Sequence, residues 1–391
     1  MKLLHTADWH LGKLVHGVYM TDDQRYVLEQ LIQAVRDEKP DAVIIAGDLY
    51  DRAVPPTDAV DLLDETLERI VIELNTPVLA IAGNHDSPDR ISFGTRMMES
   101  RGLYLVGQLR ADAPPVVLRD EHGEVCFHSI PYADPAVVRH VLEDETIRSH
   151  DDAMGAIVKR LEARMDPAAR HVLIGHAFVT PTGEAAENTS ESERPLAIGG
   201  AEYVSASHFR SFHYTALGHL HQAHYVRDES IRYAGSPMKY SISEEKHHKG
   251  YYIVNIDGTG AAQVEKRELK PRRDMRRVMV AVEELESHPV NEDYVYVTLI
   301  SDHPVLFPME KVRAVYPNAM HVDRVSQVRA AASAEQAGDK PAAAPRRSET
   351  DPVELFAAFY QEVKEQPLSD EKKALFAKEW GALLQEAGEG R

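Results

Sequence analysis

Five short apolar runs in the first part of this chain each end in a cluster of Gly, Asp, Asn and His. The runs are residues 2–7, 42–46, 78–82, 172–175 and 214–217. They carry few polar residues, the pattern of strands buried on both faces of a sheet. Their endings are Asp8-Trp9-His10, Gly47-Asp48-Leu49-Tyr50-Asp51, Gly83-Asn84-His85-Asp86, Gly175-His176 and Gly218-His219-Leu220-His221. In open α/β sheets ligands collect beyond the carboxyl ends of strands, where these endings would meet. Between the first two runs, Val27, Leu28, Leu31, Ile32 and Val35 recur at helical spacing, with Thr21 or Asp22 placed to cap a helix over 23–37. A second helix follows Pro55-Pro56-Thr57, with Val60, Leu63, Leu67, Ile70 and Val71 as its buried stripe. Further strands are expected near 125–130 and 251–256. Such alternation predicts a layered α/β or α+β domain.

Each ending alone is weak. Asp8-x-His10 fits an exposed loop, Gly83-Asn84 fits a turn, and His219-x-His221 fits an edge strand without a ligand. Their joint occurrence after buried-strand patterns makes coincidence improbable. Carboxylate, imidazole and amide oxygens are the ligands that divalent cations accept. Two such ions about 3.5–4 Å apart can clamp the attacking and leaving oxygens of a phosphoryl displacement. Alternate residues of an extended segment share one side, which suits the Asp-x-His and His-x-His spacings. A glycine before a ligand lets the backbone turn sharply beside it.

In order, these motifs resemble the signature of the calcineurin-like metallophosphoesterases. Within that family the segments Leu4-His5-Thr6-Ala7-Asp8-Trp9-His10-Leu11-Gly12, Ala46-Gly47-Asp48-Leu49-Tyr50-Asp51-Arg52 and Tyr233-Ala234-Gly235-Ser236-Pro237 are similar to the SbcD nuclease subunits. The resemblance covers about residues 1–260 and is weaker beyond. It implies an α+β fold, a four-layer α/β/β/α sandwich, with a binuclear site for two divalent ions, manganese first and magnesium second. Asp8, His10, Asp48 and His221 would hold one ion. Asn84, His176 and His219 would hold the other, with Asp48 as bridge. His85 would be catalytic, protonating the leaving oxygen. Asp51 would orient His85 or support the ligands, at a place where related nucleases carry His. The implied activity is double-strand 3′–5′ exonuclease and single-strand or hairpin endonuclease action on DNA, in repair, recombination and replication. The alternative is a metallophosphoesterase acting on nucleotides or other small phosphodiesters. The resemblance also implies a homodimer of this subunit joined to two copies of an SbcC-type ATPase.

Charge bears on that reading. The formal net charge is −19, whereas freestanding nucleic-acid binders usually present a basic surface. A nuclease that grips DNA together with a partner escapes this objection. The densest basic cluster is 266–277, ahead of two strands at 277–282 and 294–300 and a helix at 308–316. Residues 1–265 are therefore expected to form the nuclease domain and 266–328 a small α/β capping domain. Arg272 and Arg273, with Arg52, Arg90 and Arg96 next to the metal motifs, are candidate DNA contacts, although each also fits a solvated surface charge. Residues 329–350, rich in Ala, Pro and charge, read as a flexible linker. Residues 351–391 regain helical periodicity through Val353, Phe356, Ala357, Tyr360 and Val363, then Leu375, Phe376, Trp380 and Leu383. By resemblance these C-terminal helices dock on the ATPase. The single cysteine, Cys126, excludes an internal disulfide, and no run of about eighteen apolar residues exists. The opening residues lack the apolar stretch of a secretory signal, so the expected compartment is the cytoplasm, with no membrane partner.

Overall fold

The structure is a computed structural model and describes residues 1–183, 193, 202–326, 353, 356, 357, 360 and 367–388. The expected linker at 329–350 lies outside the described residues. The chain forms two compact units. The first comprises Met1–Arg277, Asn291–Tyr296 and Asn318–Met320, and the second Val278–Val290, Val297–Pro317 and His321–Arg391.

The first unit is built on two six-stranded sheets. One has the order Ala262–Glu268, Gly250–Ile256, Lys2–Thr6, Ala42–Ile45, Val78–Ile81, Leu103–Val106. Its last four strands are parallel, and Gly250–Ile256 is antiparallel to both its neighbours. The other sheet runs His224–Val226, Asp228–Tyr233, Tyr214–Gly218, Arg170–His176, Gly123–Ile130, Val116–Asp120. Its four central strands are parallel. Side chains alternate across each strand, so neighbouring residues enter different cores. Leu3, Ile44 and Leu79 face Val125, Phe127, Val172, Ile174 and Tyr214 between the sheets. Leu4, Val43 and Ile45 pack on helices Thr21–Glu38 and Thr57–Glu68. Leu173 and Leu217 pack on Val138, Leu142, Met154 and Ile157 of helices Pro135–Leu142 and His150–Glu162. The result is the expected α/β/β/α order of layers.

Two local expectations change. Helix Thr21–Glu38 starts after Met20 with no side-chain cap, so neither Thr21 nor Asp22 serves as one. In helix Thr57–Glu68 the buried stripe is Ala59, Leu62, Leu63, Thr66 and Leu67, while Val60 is 41% exposed. Val60 lies about 100° around the helix from Ala59 and so leaves the stripe. A π turn at Arg69–Glu73 then lets both Ile70 and Val71 reach the core.

Arg170, the first residue of strand Arg170–His176, ties the sheets together. Its guanidinium donates to both carboxylate oxygens of Asp120, at 2.9 and 2.5 Å, and reaches the Ile256 carbonyl of the first sheet. Arg170 holds the Asp120 carboxyl well below the usual carboxylate range. A depressed carboxyl stabilises the fold above its unfolded pKa of about 3.9, and that contribution fades as pH falls toward the folded value. Asp120→Asn is therefore expected to lower the unfolding free energy by about 3 kcal/mol at neutral pH, since Arg170 is left buried and unpaired. Urea unfolding should show the gap closing as pH drops below about 4; a gap that is independent of pH would refute the assignment.

The second unit carries most of a three-stranded sheet, ordered Met275–Ala281, Tyr294–Ile300, His321–Val325, with helix Pro308–Val315. Its tail includes helix Asp370–Gly388, on which Phe376 stacks against Phe356 with centroids 4.0 Å apart. No helix among the described residues is long and apolar enough to cross a membrane.

Candidate metal centre

Parallel pairing brings the endings of the first three strands to one edge. Asp8 N–H donates to the Gly47 carbonyl at 3.0 Å, and His10 N–H to the Asp48 carbonyl at 2.9 Å. In the second sheet Gly218 pairs with His176, which sets His219 beside it. Two bonds then cross between sheets. His219 N–H donates to Asp8 Oδ1 at 2.9 Å, and His176 Nδ1–H to the Ala46 carbonyl at 2.9 Å.

Backbone strain concentrates here. Asp8, His10, Asp48 and His219 all have positive φ, at 53°, 46°, 50° and 109°. Non-glycine residues adopt that region at a cost, which persists where the surroundings fix it. Gly47, at φ 93°, admits no side chain, because a Cβ would lie 2.2 Å from His176 Nδ1. At Gly83 a Cβ would lie 2.1 Å from Asp48 Oδ1. These two glycines are what let the ligand groups converge.

Asp48 is central. Its Oδ2 lies 3.6 Å from His10 Nε2 and 3.3 Å from His176 Nε2. Around His10, the His221 Nε2 atom is 3.0 Å from its own Nε2. Around His176, Asn84 Oδ1 is 3.0 Å from Nε2, and the His219 ring lies edge-on with centroids 5.4 Å apart. His10, His221, His176, Asn84, His219 and Asp8 thus gather around the Asp48 carboxylate. Closest proximity groups them differently from expectation. Asp8 lies with Asp48 and His176, and Asp51 and His85 lie with His10.

The groups of the centre are shifted in both directions: burial works to lower the His176 imidazole, but the facing Asp48 carboxylate outweighs it and raises it to about 9. Burial drives the His10 and His219 imidazoles well below their usual range. At Asp48 burial opposes ionisation, but His176, then His10 and His85, outweigh it and hold the carboxyl low. Burial pushes the Asp8 carboxyl up to about 7. Asp8 Oδ2 and His10 Nδ1 are buried without a hydrogen-bond partner. Two carboxylates and four imidazoles, with buried polar atoms left over, fit a pair of divalent cations by donor chemistry.

His85 is fixed by its backbone. Its N–H donates to Asp48 Oδ1 at 2.9 Å, and its Nδ1–H to the main-chain carbonyl of Asp51 at 2.7 Å. Asp51 therefore orients His85 through its peptide group. Its carboxylate instead accepts from Lys13 Nζ at 2.7 Å and faces His10 Nδ1 at 3.7 Å. Sequence reasoning missed Lys13, as it missed Asp86. The Asp86 carboxylate accepts from the backbone N–H groups of Gly83, Leu49 and Tyr50 at 2.9–3.0 Å, tying two motifs together. It also missed Gln24, which bonds the Trp9 and His10 carbonyls, and Glu244, which bonds His221. Of these, only Asp86 stood inside a quoted motif.

The candidate DNA contacts divide. Arg52, Arg90, Arg96 and Arg272 are exposed. Arg273 is committed to the buried Asp23 carboxylate at 3.1–3.2 Å and to Glu292 at 3.3 Å, which removes the freedom a phosphate contact needs.

The family model described as Calcineurin-like phosphoesterase matches residues 1–222. That of the Type 5 capsule protein repressor C-terminal domain matches residues 271–364. The D subunit of nuclease SbcCD from Staphylococcus epidermidis is 34% identical over 329 residues, covering 83% of this chain and 86% of the relative. Among solved structures, TT1561 of Thermus thermophilus is similar with TM-score 0.40 and 12% identity, covering 69% of this chain and 99% of that one. A dimetal phosphatase from Danio rerio gives TM-score 0.40 and 12% identity, covering 68% and 96%. The chain belongs to the calcineurin-like phosphoesterases and, within them, to the family of the SbcD nuclease subunits.

Proposed function

We propose that this protein is a two-metal DNA nuclease, the catalytic subunit of a complex with an SbcC-type ATPase in the cytoplasm. The observation that carries the reading is Asp48 Oδ2, placed between His10 Nε2 and His176 Nε2. Asp8, His10, Asp48 and His221 would hold one ion, and Asn84, His176 and His219 the other, with Asp48 shared. The two divalent cations, manganese first, would when bound supply positive charge for the phosphoryl oxygens and lower the pKa of the attacking water. The chain's own part is positioning. With its Nδ1–H held by the Asp51 carbonyl, His85 can offer a proton only from Nε2, which the reading assigns to the departing 3′-oxygen. Lys13 neutralises Asp51 beside it.

The substrate follows from family and surface. Exposed Arg52, Arg90, Arg96 and Arg272 are the guanidinium groups that DNA phosphates would meet. Double-strand 3′–5′ exonuclease and hairpin endonuclease action is the proposed specificity. Hydrolysis of DNA hairpins and duplex ends, in competition with a chromogenic phosphodiester, separates this from a small-ester enzyme. Turnover of the small ester alone would refute the nuclease reading.

Two contacts with other chains complete it. Val60, Ile72, Phe93 and Met97 are exposed apolar side chains around one groove of the first unit, and a second copy of the chain is the proposed cover. A monomer by sedimentation at micromolar concentration would contradict this. On the tail, Leu375 and Trp380 are 59% and 39% exposed. With Phe356, Tyr360 and Phe376 they form the surface assigned to the ATPase. Truncation before residue 350 is expected to abolish co-purification with the ATPase and leave metal-dependent hydrolysis by the body. Retained association would overturn the assignment.

A further inference from the structure

One buried ion pair beside the metal centre has no part in the reaction described so far. Glu244 and Lys249 are buried, with 0% and 5% of their side chains exposed, and their Oε2 and Nζ atoms lie 2.5 Å apart. Burying a charged pair confers no more stability than an apolar pair of the same shape, and often less. A pair kept in such a place calls for another role.

The contacts show which one. Glu244 Oε1 accepts from the Nδ1–H of His221 at 3.1 Å. A carboxylate can only accept, so this bond places the ring proton on Nδ1 and the lone pair on Nε2. That Nε2 is the atom facing His10 Nε2 across the centre. Lys249 Nζ donates to the His221 carbonyl at 2.8 Å and to Ser236 Oγ at 2.7 Å. Ser236 N–H donates to the same carbonyl at 3.2 Å. Gly235, at φ 73°, permits this approach, because a Cβ there would lie 2.7 Å from the His221 carbonyl oxygen. His221 is therefore fixed at both its ring and its backbone.

The imidazoles of His176 and His10 are held differently. His176 Nδ1 bonds a neutral carbonyl. His10 Nδ1 faces the Asp51 carboxylate at 3.7 Å, beyond hydrogen-bond reach. A carboxylate hydrogen-bonded behind a ligand histidine fixes its ring and makes it a stronger donor. We infer that Glu244 and Lys249 are positioning residues for the ion held by His221, and that this ion binds more tightly than the one held by Asn84, His176 and His219. This inference rests on the two-ion reading.

The test is calorimetric titration of the chelator-stripped full-length protein with manganese. The wild type is expected to bind two ions per chain with unequal affinity. In Glu244→Gln, which keeps an acceptor but removes the charge, the tighter ion should weaken about 10- to 100-fold. The weaker ion should be unchanged. Electron paramagnetic resonance at two equivalents of manganese should show a spin-coupled pair in the wild type and isolated-ion signal in the variant. Lys249→Met should shift the same ion, and Ser236→Ala should do so to a smaller extent without touching either charge. That series keeps the test decisive if one variant misfolds. Equal weakening of both ions, or wild-type affinities in all three variants, would overturn the inference. A wild type that binds fewer than two ions would instead defeat the two-ion reading itself.

Discussion

Replacing His85 with Gln is expected to lower kcat on DNA by about 1,000-fold while leaving manganese affinity unchanged. The argument is positional. The bond from the His85 backbone to Asp48 survives the substitution, so the Asp48 carboxylate keeps its orientation. What disappears is a nitrogen that can carry a proton to the leaving oxygen. Proximity sharpens the test, because His85 groups with His10 and Asp51 as a possible ligand. Were His85 a ligand, metal affinity would fall along with kcat. Unimpaired cleavage would refute the proton-donor role outright.

Asp48→Asn should have the broadest effect. One oxygen, Oδ2, faces both His10 and His176, which is why this atom is proposed to be shared between the two ions. The amide keeps the shape but cannot offset the mutual repulsion of two cations. Manganese titration should show both ions weakened about 100-fold or more, with cleavage at background. Loss of one ion with the other intact would mean that Asp48 is not shared.

The five strand endings were legible in sequence because each is local: an apolar run, a turn residue, then residues of metal-ligand type. Parallel pairing at Leu3/Ala42 and Val43/Val78 then did what the pattern implied and aligned their ends. Residues whose role depends on distant chain were not legible. Glu244 lies well after His221 in sequence, in a short turn with no motif, and only folding brings its carboxylate to the ring. Arg273 reads as one of a basic cluster, yet the fold sets it on Asp23 of a helix near the other end of the chain. Asp51 shows a subtler limit: its residue type pointed to a carboxylate role on His85, whereas its peptide carbonyl makes the bond. Positive φ at Asp8, His10 and Asp48 was likewise not read from sequence: Asp and His tolerate that region better than most residues, but many of them never adopt it.

The most direct measurement is cleavage of a hairpin-capped DNA duplex by the full-length protein before chelation, after chelation, and after manganese is restored. Cleavage is expected to vanish with the metal, return with manganese, and fail to return in Asp48→Asn. Cleavage indifferent to chelation, or none under any condition while small phosphodiesters are hydrolysed, would contradict a two-metal DNA nuclease.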